Sequence, residues 1–296
     1  MTEAGRPLFE SVVIVGPGLV GGSLGQALRA KGLARLVVGV GRRQVSLDRA
    51  LERGAIDEAT LDLEGAVVGA DLVVLATGVG LIPRQAEAVL SRVAEGAILT
   101  DVGSVKAAIC RSVEEALRRA GVAAHFVGGH PLAGSEQRGV EAAREDLFRD
   151  ACCILTPTED TNRDALARVR GLWEAVGARV VELAPERHDE LLAQISHLPH
   201  VAASCLVNNA SDEALAFAAT GFLDTTRVAS GDPDLWRDIC LANGEALARA
   251  ARSCADALRE FAAALEAQDE KAVHGLLDRA KERRDARLSR GSNTSD

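Results

Sequence analysis

Tyrosine is absent from this 296-residue chain, and nothing about function follows from that. Three other gaps exclude more. No apolar run approaches the roughly 20 residues of a membrane span, and residues 1–10 lack a charged-then-apolar leader. A cytoplasmic protein without membrane contact is therefore expected. The six cysteines (Cys110, Cys152, Cys153, Cys205, Cys240, Cys254) show no CxxC spacing, and Cys152 and Cys153 sit side by side in an apolar run. Buried, reduced thiols are the expectation. Lys/Arg clusters are missing except around Arg279 to Arg290, and the formal net charge is −9. Phosphate backbones are held by clustered cations, so nucleic acid is excluded as a partner. A small anion can still be held by a few locally placed cations.

What is present is ordinary for a globular enzyme: 47% hydrophobic and 26% charged residues. The length is near the upper limit for one core, which favours two domains. In the first half, short apolar runs alternate with amphipathic stretches closed by glycine, the pattern of a parallel sheet covered by helices. Strands are expected at Ser11–Val15, Leu36–Val40, Leu72–Ala76, Ala97–Asp101, His125–Gly128, Cys152–Leu155 and Ala178–Leu183. Leu19–Lys31 reads as a helix with Gly32 at a left-handed cap. Ser46 suits the cap of a helix ending at Gly54, and Pro83 an early helical position. After Pro185, alanine-rich amphipathic segments take over: Glu186–Asn209, Asp212–Ala219, Asp234–Ala267 and Glu270–Leu288. The expected fold is thus an α/β doubly wound, Rossmann-type domain over 1–185, then an all-α domain over 186–296 with a short disordered tail from Gly291. Long Ala/Leu faces such as Ala246–Ala264 cannot all be covered in so small a domain, which points to a homodimer through the C-terminal helices.

Gly16-Pro17-Gly18-Leu19-Val20-Gly21 is GxGxxG directly after a strand and opening a helix. Gly16 allows the tight turn, Gly18 a close approach of backbone to a pyrophosphate, and Gly21 close helix–strand packing. Leu19 and Val20 begin a helix whose free N–H groups and positive dipole end favour phosphate. The motif alone is weak; the strand–loop–helix context makes it a dinucleotide site, with Thr77, at the end of a later strand, placed beside it. NAD sites carry an acid about 20 residues on, to bind the ribose hydroxyls. Here that strand ends in Gly41-Arg42-Arg43. Guanidinium groups pair with a 2′-phosphate, so NADP is expected over NAD, with NAD still possible. The bland alternative is that Arg42 and Arg43 are a solvated loop.

Two further regions hold polar residues at strand or helix ends. Thr100 to Lys106 (TDVGSVK) and Gly128 to Glu136 (GGHPLAGSE) follow strands whose C-termini line a ligand crevice. His130 is suited to take a hydroxyl proton while hydride leaves the same carbon, and the Ser104 hydroxyl to orient it. A lone histidine is more often structural, but His130 sits among glycines and a proline at a strand end. The second region comprises Ser196 to His200 (SHLPH), Gly221 to Arg227 (GFLDTTR) and Gly231 to Trp236. Ser196 and His200, one helical turn apart, are expected to share a face. Arg227, among Phe222, Asp224, Thr225 and Thr226, suits a buried anion clamp. No third ligand is spaced for a metal.

These motifs, in order from residue 16 to about 240, resemble prephenate dehydrogenases. GGHPLAG and SHLPH are the specific pair; the glycine loop is shared more widely. The resemblance implies an enzyme of tyrosine biosynthesis that oxidatively decarboxylates prephenate or arogenate. Hydride passes to the nicotinamide, His130 takes the hydroxyl proton, and the dienone loses its ring carboxylate as carbon dioxide. It further implies that Ser104 holds His130 and the hydroxyl, and that Arg227 binds a carboxylate. Ser196, His200 and Glu136 fall on the substrate side, and Trp236 packs against the pocket. His200 and Trp236 lean the expectation towards prephenate. Members commonly have a proline near Thr77 where this chain has Gly78, which implies a more mobile loop. With 296 residues, no regulatory or mutase domain is expected, so tyrosine feedback would act through the active site. β-Hydroxyacid dehydrogenases and pyrroline-5-carboxylate reductases share the layout. The former usually place a catalytic lysine after the domain boundary, and Glu186–Asn209 has no lysine. A non-catalytic NADPH-sensing regulator has no need of a base beside an anion clamp.

Overall fold

The computed structural model describes residues 6–134 and 137–292. The chain opens with β1 (Phe9–Val15), α1 (Leu19–Ala30), β2 (Ala34–Val40), α2 (Gln44–Glu52), β3 (Glu58–Thr60), α3 (Leu63–Ala66), β4 (Leu72–Leu75), α4 (Ile82–Val89), β5 (Ile98–Asp101) and α5 (Ala107–Ala120). It continues through β6 (His125–Pro131), β7 (Cys152–Thr156), α6 (Arg163–Ala175) and β8 (Arg179–Glu182). The remainder is helical: α7 (Pro185–Leu192), α8 (Leu198–Asn209), α9 (Asp212–Leu215), α10 (Thr220–Thr226), α11 (Pro233–Ala242), α12 (Gly244–Glu266) and α13 (Glu270–Ser292).

The eight strands form one sheet in the order β3-β2-β1-β4-β5-β6-β7-β8. Continuous aliphatic runs such as Val12–Val15 and Leu72–Leu75 are buried on both faces, as central parallel strands require. α1, α2 and α6 cover one face around Leu24, Leu28, Leu47 and Trp173; α4 and α5 cover the other around Ile82, Val89, Ile109 and Val113. Gly32 closes α1 at φ +61 and Gly54 follows α2 at φ +66, left-handed positions that suit glycine.

Several elements differ from the sequence reading. β7 pairs with β6 antiparallel, so the sheet is not wholly parallel. Among the described residues, the link between them carries one short turn (Val140–Ala142) and no crossover helix, and without a crossover the chain returns antiparallel. The three-residue β3 adds an edge strand that pairs with β2. Ser46 is not a cap, because the short Gly41–Arg43 link starts α2 at Gln44, with Arg43 in the capping position. The stretch from Pro185 to Asn209 is interrupted by a wider π turn at Ala193–His197. Asp234–Ala267 is two helices separated at Asn243, and only Asp212–Leu215 of its segment is helical. Cys110 and Cys153 are buried, but Cys205 is exposed and the other three are half-buried; all six are free. Gly291 and Ser292 close α13, and residues 293–296 lie outside the described residues.

The chain divides into two compact units, Met1–Gly244 and Glu245–Asp296. The first holds the sheet and α7 to α11. The second is a pair of long helices joined through Gln268 at φ +51, with Arg279 near Glu260. No helix among the described residues is long and apolar enough to cross a membrane.

Candidate active site

β1, β4, β5 and β6 are parallel neighbours, so their C-terminal ends lie along one edge of the sheet. Gly16 follows β1, Thr77 follows β4, Ser104 follows β5, and His130 is near the end of β6. Between β1 and β4 the strand order reverses, the place where such sheets bind ligands.

Gly16 has φ +87, and a Cβ there would lie 2.8 Å from the Ala76 carbonyl oxygen and from Thr77 Cγ2. At Gly21 a Cβ would come within 2.5 Å of the Gly16 carbonyl oxygen, which gives the third glycine its reason. At Gly18 nothing lies within 4 Å. α1 starts there with no side-chain cap, so the N–H groups of its first turn, at Leu19 and Val20, are left to a ligand. Thr77 is half-buried and donates through Oγ1 to Gln85 Oε1. Arg42 and Arg43 are exposed at the end of β2, and neither has an ion-pair partner among the described residues. This edge fits a dinucleotide.

Below the edge is a buried polar cluster. Asp101 ends β5; its carboxylate accepts from Lys106 Nζ, from Gly103 N at 2.8 Å and from Gly129 N at 3.1 Å. Lys106 Nζ also donates to the Gly129 carbonyl at 2.8 Å, and both charged side chains are 0% exposed. The pair thus pins the residue that precedes His130. His130 Nδ1 lies 2.8 Å from His188 Nε2, and His188 Nδ1 lies 2.8 Å from Asp189 Oδ1. The Asp189 carboxylate also accepts the backbone N–H groups of Lys106 at 2.8 Å and Ala107 at 2.9 Å, where α5 begins. Burial holds the pKa of His130 well below the ordinary histidine value, and His188, Lys106 and His197 push it the same way. His130 is therefore neutral.

Ser104 is half-buried and makes no hydrogen bond to His130 among the described residues. The expectation that Ser104 holds His130 is corrected: the Nδ1 contact belongs to His188, which α7 delivers from across the site.

His200 stacks on Trp236, with ring centroids 3.5 Å apart and planes 12° apart, and His197 meets the same indole edge-on at 6.2 Å. The half-buried Trp236 is thus a wall for two histidines. Asn243 Nδ2 donates to His197 Nδ1 at 3.1 Å and to the Asp189 carbonyl at 2.8 Å, which joins this group to the His130 cluster. His197 Nε2 and His200 Nδ1 are buried without a partner among the described residues. Burial lowers the pKa of His200 and takes His197 to about 4. Ser196, in the π turn, is half-buried, so it and His200 are not on one regular α-helical face. Arg227 follows α10 and is exposed, which corrects the expected buried clamp; of its neighbours only Thr226 is buried. Glu136 lies outside the described residues.

Residues 24–182 match the model of the prephenate dehydrogenase nucleotide-binding domain, and residues 184–279 that of the prephenate dehydrogenase dimerization domain. The chain belongs to the prephenate dehydrogenase family. It is 34% identical over 290 residues to the cyclohexadienyl dehydrogenase of Zymomonas mobilis, covering 95% of this chain and 96% of that one. The prephenate dehydrogenase of Bacillus subtilis is 36% identical over 245 residues, 79% of this chain; the match spans 64% of that relative, a little under two thirds of its length. The structure of prephenate dehydrogenase from Aquifex aeolicus in complex with hydroxyphenyl propionate and NAD+ superposes with a TM-score of 0.86 at 34% identity, covering 93% of this chain and 97% of that one.

For this member of the family, the sequence reading passed over His188, Asp189, Asn243 and the Asp101–Lys106 pair. An adjacent His-Asp on a helix, and an acid ending a strand five residues before a lysine, were the available signals. Neither pattern says what it faces until the chain is folded.

Proposed function

We propose that the chain is a dehydrogenase that oxidatively decarboxylates prephenate or arogenate in tyrosine biosynthesis, with NADP preferred over NAD. The observation that carries this reading is a buried, neutral histidine on the same sheet edge as an uncapped glycine-loop helix. A nicotinamide dinucleotide bound along that edge would supply the hydride acceptor. Gly16, Gly18 and Gly21 with the N–H groups of Leu19 and Val20 would hold its pyrophosphate, Thr77 would flank it, and Arg42 and Arg43 would take a 2′-phosphate.

His130 takes the proton of the ring hydroxyl at Nε2 as hydride leaves the carbinol carbon. Ser104 orients that hydroxyl. Loss of the ring carboxylate as carbon dioxide is then driven by aromatisation. Arg227, Ser196 and Glu136 serve the substrate's polar groups, and Trp236 packs beside them. The unpartnered ring nitrogens His197 Nε2 and His200 Nδ1 support a polar ligand, since a buried unpaired group costs about 1–3 kcal/mol until something satisfies it. The His200–Trp236 stack favours the keto acid prephenate. Exposed apolar side chains on the helical segment, including Phe217 at 82% and Leu241 at 75%, support a homodimer through these helices. A cytoplasmic location fits such an enzyme.

The test is steady-state reduction of NADP and of NAD with each acid, repeated for Arg42→Asp. Turnover on prephenate with NADP, and a shift towards NAD in the variant, are expected. An unchanged cofactor ratio would remove the role of Arg42. No turnover from folded protein that binds NADPH would return the sensor reading.

A further inference from the structure

Four groups in a row, His130, His188, Asp189 and the start of α5, are fixed by hydrogen bonds in the buried interior. Their proton positions follow from one end. The Asp189 carboxylate can only accept, and it already accepts two backbone N–H groups. The group between it and His130 must therefore place a proton on His188 Nδ1. His188 is held towards its neutral form, since burial first and then the nearby Lys106 keep its pKa below the ordinary histidine value despite the Asp189 carboxylate. A neutral imidazole with its proton on Nδ1 has a bare Nε2. That bare nitrogen, 2.8 Å from His130 Nδ1, obliges His130 to carry its own proton on Nδ1. His130 Nε2 is left unprotonated.

We infer that His188 and Asp189 are positioning residues that set the tautomer of His130, so that its Nε2 is the proton acceptor. This rests on the reading of His130 as the base. When His130 Nε2 takes a proton, its Nδ1–H still donates to His188, whose ring is oriented by the Asp189 carboxylate. The new positive charge is thus met by a hydrogen-bonded dipole without rearrangement. The arrangement also links two parts of the chain 58 residues apart, so α7 helps to set the register of the base at the end of β6.

The test uses the full-length protein and two readouts. Long-range ¹H–¹⁵N spectra of the histidine rings at neutral pH, with His130 assigned by its loss in His130→Asn, report the tautomer whatever the activity. A protonated Nδ1 and bare Nε2 on His130 are expected; a proton on Nε2 would overturn the inference, even if the protein turns over its substrate. If neither acid is turned over while the tautomer is as stated, the functional reading fails and the relay stands. In His188→Phe the acceptor is gone, and kcat should fall about a hundredfold, the lower part of the range for losing base catalysis, with KM little changed. His188→Gln, which can place a carbonyl oxygen near the lost Nε2, should recover kcat to within about tenfold of the parent. Equal kcat in His188→Phe with an unchanged His130 spectrum would overturn the inference.

Discussion

Replacing Lys106 by methionine keeps most of the side chain's bulk and removes the cation that faces Asp101. Both groups are fully buried, and the lysine also holds the Gly129 carbonyl. Breaking a buried ion pair on one side leaves an uncompensated charge, which costs about 3–5 kcal/mol. Two backbone N–H groups, from Gly103 and Gly129, remain on the carboxylate and place the loss near the lower end, about 3 kcal/mol. At roughly 2–4 °C per kcal/mol for a unit of this size, the thermal midpoint should fall by about 6–12 °C. Scanning calorimetry reads it directly. Lys106→Met/Asp101→Asn should regain at least half of the loss, because a neutral amide no longer needs a counter-charge. A single-variant shift under about 2 °C, or a double variant no better than the single, would refute the reasoning.

Three further outcomes follow from the same geometry. The acid limb of kcat/KM should lie below the ordinary histidine value of 6.5, because burial and neighbouring groups lower the pKa of His130 and the neutral form persists to lower pH; a limb above 6.5 would remove His130 as the base. His197 is buried neutral with a pKa of about 4. Its contribution to stability is full above 6.5 and is lost as pH falls towards 4, so the thermal midpoint should decline from pH 6.5 to 5, above the range where most carboxylates titrate, and a flat profile there would contradict the burial. Arg227→Ala should raise KM about 10- to 150-fold, the equivalent of a charge-assisted hydrogen bond worth roughly 1.5–3 kcal/mol, and an unchanged KM would release Arg227 from substrate binding.

Features carried by neighbouring residues were legible in the sequence. The glycine loop, the strand–helix alternation up to β8 and the switch to helices after Pro185 are local patterns, set by backbone freedom and by the period of apolar side chains. The polar segments around Ser104, His130, Ser196 and Trp236 stood out for the same reason, as unusual residues at the ends of elements. Contacts between distant residues were not legible. The antiparallel return of β7 depended on a link with no crossover helix among its described residues, and the exposure of Arg227 on how the turn after α10 settles. His188 reaches His130 only because α7 packs against α5 and against β7, the strand paired with β6, and Lys106 finds Asp101 only because the loop after β5 folds inward. Sequence thus determined which groups could do the chemistry. Packing decided which of them touch, since hydrogen-bond partners in a buried interior are chosen by the elements that enclose them.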